Sequence, residues 1–168
     1  MKFSINTIAR NAVIAALYVV LTLLAYPISF AAIQVRIAEI LVILCFFRKD
    51  YVIGLTLGCL IANCFSNVGA LDILFGTLAT LLSCLLISFS KYLILAIMFP
   101  VVFNGFIVAF EIYLLDKSNT LPYIYLVIFI AAGELITMIV AYIFAFLFKK
   151  KKHFIDLIGA NQNIDFKF

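Results

Sequence analysis

The sequence predicts an all-α integral membrane protein, folded as a compact bundle of six transmembrane helices with the N- and C-termini in the cytoplasm. Hydrophobic residues make up 67% of the 168, whereas soluble domains contain about 45–50% apolar residues. The apolar runs approach the length of about 20 residues that a helix needs to cross a bilayer. The predicted spans are residues 8–27, 34–47, 51–66, 71–89, 92–115 and 121–148.

Each span has its own justification. The first is expected to be a retained helix, because its apolar run from Ala12 continues through Pro27 without the cleavage site that ends a signal peptide. The second and third are short, which favours helices buried by protein rather than facing lipid. The fourth is an apolar run of helix length. In the fifth, Pro100 is expected to kink the helix just before Asn104. The sixth is the longest and ends at Lys149–Lys152.

The distribution of basic residues orients these spans. Cytoplasmic loops carry an excess of Lys and Arg, and alternate loops of the six-span division are basic, whereas the loops between them contain only Lys117. Five spans would place one charged end on the wrong side. We therefore predict one membrane domain, residues 1–150, followed by a loosely ordered cytoplasmic tail, residues 151–168. The cytoplasmic basic residues are Lys2, Arg10, Arg48, Lys49, Lys91 and Lys149–Lys152.

Polar residues inside the spans gather at one depth. A charge at the centre of a bilayer costs roughly 2.5–3.5 kcal/mol on insertion scales, so such residues are candidates for function. The predicted orientation puts all of them in the outer half, which favours one pocket that opens to the outside over a conducting pathway. The candidate substrate-binding residues are Gln34, Arg36, Glu39, Asn63, Asp72, Asn104, Glu111 and Glu134.

The composition of this pocket indicates the chemistry of its ligand. Four carboxylates accompany a single arginine, and ionised carboxylates only accept hydrogen bonds. Aromatic residues lie nearby in the sequence, including Phe75 and Phe110, and aromatic rings stack on flat ligands. A flat, nitrogen-rich ligand that is cationic or donates several hydrogen bonds fits this pocket better than an anion.

Several of these residues also have a simpler structural interpretation. Arg36 and Glu39 are three residues apart, a spacing at which opposite charges neutralise each other. Asp72 suits the exposed N-cap of the fourth helix, and a membrane Asn such as Asn63 often hydrogen-bonds between helices. Glu134 is the hardest to explain structurally, since it lies mid-span with no cation near it in the sequence.

Small residues and missing motifs limit the alternatives. Ala12 and Ala16 form a small face on the first helix, whereas Gly54 and Gly58 are expected to pack within the bundle. The four cysteines lie in apolar segments and are expected to be buried thiols. The sequence contains no GxxxxGK[ST] phosphate loop, HExxH or GxSxG, so we expect neither an enzyme nor a bound cofactor.

Three stretches resemble the queuosine-precursor transporter family. They are PISFAAIQVRIAE, residues 27–39, GLTLGCLIAN, residues 54–63, and LDILFGTLAT, residues 71–80. The surroundings of Asn104, Glu111 and Glu134 are similar too, so the resemblance extends to about Lys150. One departure is Asn67–Ala70, which lacks the expected Pro after Ser66.

The resemblance implies the substrate-binding (S) component of an energy-coupling factor transporter, a six-helix protein that binds its substrate from outside. The implied substrate is 7-aminomethyl-7-deazaguanine or queuine. The implied partners are a transmembrane T component, docked on Ala12 and Ala16, and two cytoplasmic ATPases, in a prokaryotic cytoplasmic membrane. Residues 27–33 would form a lid, with Gln34 and Arg36 ordering it or the carboxylates.

Other functions stay open from the sequence. The same architecture could bind another vitamin or nucleobase, and a solitary ion- or proton-coupled carrier could use Glu134 as its proton site. A membrane enzyme or structural subunit is a third class. Transport by the purified chain alone in liposomes distinguishes a solitary carrier from a component that needs ATPases.

Overall fold

The computed structural model describes residues 4–25, 36–66, 69–115, 121–149 and 151–163. Helix accounts for 85% of these residues, and none of them belongs to a β-strand. The predicted all-α fold class is therefore confirmed. The helices are α1 (Ile5–Leu24), α2 (Ile37–Phe47), α3 (Tyr51–Asn63), α4 (Ala70–Phe89), α5 (Leu93–Leu115), α6 (Tyr123–Phe148) and α7 (Lys152–Ile158).

Four of these helices, α1, α4, α5 and α6, are long and apolar enough to cross a membrane. The two helices predicted to be short are short: α2 has a 3₁₀ segment, Ile37–Ile43, followed by one α-helical turn, and α3 has 13 residues. Protein covers most of α2, as expected. The same expectation is only half right for α3, which exposes Ile53, Leu57 and Ile61 on one face.

The exterior of the bundle is apolar. Large hydrophobic side chains are exposed along all four long helices, for example Val13, Leu74, Val102 and Ile136. A soluble monomer rarely exposes contiguous apolar surface of this extent, so this exterior is the surface of an integral membrane protein. Of the four cysteines predicted to be buried thiols, three are buried and Cys64 is exposed.

Glycines allow α1 and α3 to pack closely. A Cβ added at Gly54 would lie 2.6 Å from Asn11 Oδ1, and one at Gly58 would lie 2.9 Å from both the Ala15 carbonyl oxygen and Tyr18 Cβ. Asn11 Oδ1 also accepts a hydrogen bond of 2.8 Å from the Gly54 backbone N–H. These contacts confirm that the glycines pack within the bundle.

The C-terminal segment is ordered where the structure describes it, so the expectation of a loose tail is wrong for residues 151–163. Helix α7 packs the Phe154 ring against Phe47 and Phe144. The chain then donates the backbone N–H groups of Asn161 and Gln162 to the Phe47 carbonyl, at 3.1 and 3.2 Å. The last carbonyls of a helix lack partners within it, and this segment supplies partners for those of α2.

Gln162 is expected to hold this segment in place. Its side-chain amide donates to the carbonyls of Cys45, Phe46 and Ser88 at 3.2–3.3 Å. Because its removal leaves carbonyl groups without their donor, Gln162→Ala should lower the free energy of unfolding by about 1–2 kcal/mol. Asn161→Ala is the matched control, since that side chain is exposed. Unfolding in mixed detergent measures both, and equal values for the two variants would contradict the prediction.

Candidate ligand-binding site

A buried ion pair joins the start of α2 to the first turn of α4. Arg36 Nη2 lies 2.7 Å from Asp72 Oδ1, and the two side chains are 4% and 0% exposed. The N-cap of α4 is Gly69, so the interpretation of Asp72 as an exposed N-cap is wrong. The interpretation in which Arg36 and Glu39 neutralise each other is incomplete, because Arg36 pairs directly with Asp72 on a different helix while its charge also acts on Glu39.

Glu39 is held by two hydroxyl groups. Tyr18 of α1 donates to Glu39 Oε1 at 2.5 Å, and Thr80 of α4 donates to the same oxygen at 2.9 Å. All three side chains are at most 1% exposed, and Glu39 Oε2 is buried with no hydrogen-bonding partner in the part of the chain that the structure describes. Glu39 thus links three helices through one carboxylate oxygen and keeps the other unused.

Asn63 ends α3 at the ion pair. Its amide donates to the Asp72 carbonyl at 3.0 Å, which confirms that it hydrogen-bonds between helices. Gly76, one turn further along α4, leaves room for this cluster. A Cβ there would lie 2.7 Å from both Asn63 Nδ2 and Asp72 Oδ1, and 3.0 Å from Arg36 Nη1.

The helix α5 is irregular where Asn104 enters the site. Residues Asn104–Val108 form a π-helical turn, four residues after Pro100, and such turns often occur at functional sites. The wider turn changes the angle between Asn104 and Glu111, which a regular helix would place on one face. Both side chains are nevertheless buried, at 2% and 0% exposure.

Unpaired acceptors are concentrated on α5 and α6. Both carboxylate oxygens of Glu111, one oxygen of Glu134 and both polar atoms of the Asn104 amide are buried and have no hydrogen-bonding partner among the described residues. The Asn104 amide lies beside the Glu134 carboxylate, although no hydrogen bond of standard geometry joins the two. Buried polar groups in native proteins are nearly all paired, so this part of the cluster is arranged for a partner that none of the described residues supplies.

The structure brings seven of the predicted site residues together, with contributions from α2 to α6. The cluster has two halves, one formed by the residues of α2, α3 and α4 and the other by those of α5 and α6. Arg36 connects them, since its charge acts on Glu111 and on Glu134. Gln34 lies outside the described residues, as does the predicted lid, residues 27–33. The sequence interpretation missed Tyr18, Gly76 and Thr80. A tyrosine and a threonine within apolar helices were the available signal for two of them, whereas Gly76 gave none.

The face predicted to bind a partner is accessible. Ala12 and Ala16 are exposed on α1, on the side of the helix away from Ile14 and Tyr18, which are buried in the bundle. The predicted site and interface residues that the structure describes therefore lie in two places: seven in the buried polar cluster, and Ala12 and Ala16 on an exposed strip of small side chains.

Apolar helices that enclose a cluster of charged and amide groups define an integral membrane protein with a buried polar site, an arrangement typical of membrane transporters. Comparison with known proteins gives the particular family. Residues 8–150 match the family described as QueT transporter, and the chain belongs to this family.

One curated relative supports the assignment. The protein named queuosine precursor transporter QueT, from Lactococcus lactis subsp. cremoris (strain MG1363), is 42% identical over 76 residues. These residues are 44% of this chain and 44% of the relative, so the match spans less than half of the relative's length. No solved structure matches the chain.

Proposed function

We propose that this chain is the high-affinity substrate-binding component of an energy-coupling factor importer, and that it takes up a queuosine precursor, 7-aminomethyl-7-deazaguanine or queuine. The observation that carries the proposal is the set of buried, unpaired acceptors on Glu111, Glu134 and Asn104. A deazaguanine presents several N–H donors on one edge, and a buried carboxylate can accept two of them.

The two halves of the cluster have different roles in this proposal. Glu134, Glu111 and Asn104 bind the guanine-like edge. Asp72 or Glu39 meets the cationic amine, because each keeps one buried oxygen that no described residue hydrogen-bonds. Arg36 offsets only part of the charge of the four carboxylates, so the site is acidic and favours a cation over an anion.

The transport cycle requires partners. In this proposal α2 and α3 cross together with the four long helices, which gives six spans with both ends in the cytoplasm of a prokaryotic cell. The exposed Ala12 and Ala16 face a transmembrane T component, and two cytoplasmic ATPases supply the energy. The name of the Lactococcus relative and the family match support the substrate class.

Calorimetric titration of the purified protein with 7-aminomethyl-7-deazaguanine tests the proposal. Glu134→Gln removes a charged acceptor, which is worth about 1.5–3 kcal/mol, so affinity should fall by roughly 10- to 150-fold. Asp156→Asn is the control, since Asp156 is exposed on α7, outside the site, and it should bind like the wild type. The absence of heat with any deazaguanine would reject the substrate. Binding of a vitamin instead would retain the architecture with another ligand.

A further inference from the structure

A second polar site lies at the opposite end of the bundle from Glu111, where α1 begins and α2 meets α3. Arg48 is fixed there by three hydrogen bonds: to the Gly159 carbonyl at 2.7 Å, to Asp50 at 2.8 Å and to Thr7 Oγ1 at 3.2 Å. The guanidinium lies over the Tyr51 ring, with 5.9 Å between Arg48 Cζ and the ring centroid. This arginine therefore presents its charge from a fixed position.

Arg10 brings a second guanidinium to the same place. Gly159 has a positive φ of 58°, and a Cβ there would collide with the Arg10 guanidinium and lie 3.0 Å from Arg48 Nη1. Both guanidinium groups therefore converge over the bare backbone of Gly159. Asp50 pairs with Arg48, and Arg10 forms no ion pair or hydrogen bond with any described residue. The two arginines thus leave an excess of positive charge.

An apolar groove of about 390 Å³ begins beside Arg10. Small-molecule sites are typically about 300–1,000 Å³, so this groove is large enough to hold part of a ligand. It runs between α1 and the C-terminal segment, within the apolar exterior that faces lipid. Its walls include Ala9, Val13, Leu17, Leu44, Tyr51 and Leu157.

We propose that this groove binds an anionic phospholipid, with its phosphate held between Arg10 and Arg48 and one acyl chain lying along Val13 and Leu17. Charge complementarity selects this occupant: a basic group at the end of a helix bundle beside an apolar groove matches an anionic headgroup joined to an acyl chain. The lipid phosphate accepts hydrogen bonds from the Arg10 guanidinium, whereas no described residue accepts a hydrogen bond from it. The site is separate from the polar cluster and does not depend on the proposed substrate.

Native mass spectrometry tests the proposal. The full-length chain is released from nanodiscs that contain equal amounts of phosphatidylglycerol and phosphatidylcholine with identical acyl chains. The wild type should retain phosphatidylglycerol preferentially. In Arg10→Gln the ratio of retained phosphatidylglycerol to phosphatidylcholine should fall about fivefold, since a basic residue near a membrane surface contributes about 1 kcal/mol to the binding of anionic lipid. Arg10→Lys should keep most of it. Lys91→Gln, which removes an exposed charge elsewhere, should keep all of it.

A groove variant tests the acyl-chain half without touching the arginines. Val13 is 67% exposed, so Val13→Trp narrows the groove at a lipid-facing position and should lower phosphatidylglycerol retention even if Arg10→Gln fails to fold. An unchanged lipid ratio in Arg10→Gln would overturn the proposal. So would displacement of the lipid by inorganic phosphate with no effect of Val13→Trp, which would indicate a free anion. If the wild type forms dimers that Val13→Trp abolishes, and if it shows no preference for phosphatidylglycerol, the groove is an interface between copies of the chain and the lipid proposal is wrong.

Discussion

Replacing Arg36 with methionine is expected to destabilise the protein by about 3–5 kcal/mol, because the substitution leaves the carboxylate of Asp72 buried without its cation. The pair is 2.7 Å long, and neither side chain is more than 4% exposed. Four buried carboxylates share this one arginine, so its loss also removes the positive charge that acts on Glu111 and Glu134. Unfolding in mixed detergent, followed by circular dichroism, measures the effect.

The double variant Arg36→Met with Asp72→Leu separates the ion pair from the packing around it. Replacing both members of a buried pair by apolar groups is often neutral or stabilising, so the double variant should recover most of the stability that Arg36→Met loses. Full stability of the single variant would show that Asp72 is hydrated or protonated in the folded protein. That outcome would contradict the arrangement of charges described here.

The sequence could predict where polar groups lie along the helices but not which groups they contact. The depth of Asn63, Asp72 and Glu134 follows from the rise of about 1.5 Å per residue once the spans are placed. The partners of Arg36 and Glu39 do not follow from spacing, because Asp72 and Thr80 are 36 and 41 residues away in the sequence. Packing of α2 against α4 determines those contacts.

Two other features of the structure could not be predicted from the sequence, and each has a physical reason. The kink expected at Pro100 gave no indication of a π-helical turn at Asn104, since a proline inside a helix indicates a kink but not a turn with one extra residue. The segment after Lys149 resembles a solvated tail in composition. Its order comes from carbonyls at the end of α2 that accept its N–H groups, and such acceptors are invisible until α2 is positioned.

Gly76 also shows how a residue with no chemistry of its own can be essential to a site. Gly76→Ala is expected to be the most damaging single-methyl change in the chain's polar cluster, because the added Cβ would lie 2.7 Å from Asn63 Nδ2 and Asp72 Oδ1. Overpacking of this kind costs about 1–3 kcal/mol. Here the displaced atoms are charged or amide groups that are already hydrogen-bonded, so the shift also moves Arg36 relative to Glu111 and Glu134.

Gly105→Ala is the matched control for this prediction. It adds the same methyl group to a buried helical glycine, but the nearest atom to its Cβ would be Ala131 Cβ on α6, at 3.1 Å, and the next two would lie at 3.7 and 3.8 Å. Both variants should lose some stability, whereas Gly76→Ala should also weaken ligand binding at a temperature where it remains folded. Comparing unfolding with calorimetric titration separates the two effects. Equal losses of affinity in both variants would mean that general loosening of the bundle, and not the geometry around Arg36 and Asp72, controls the site.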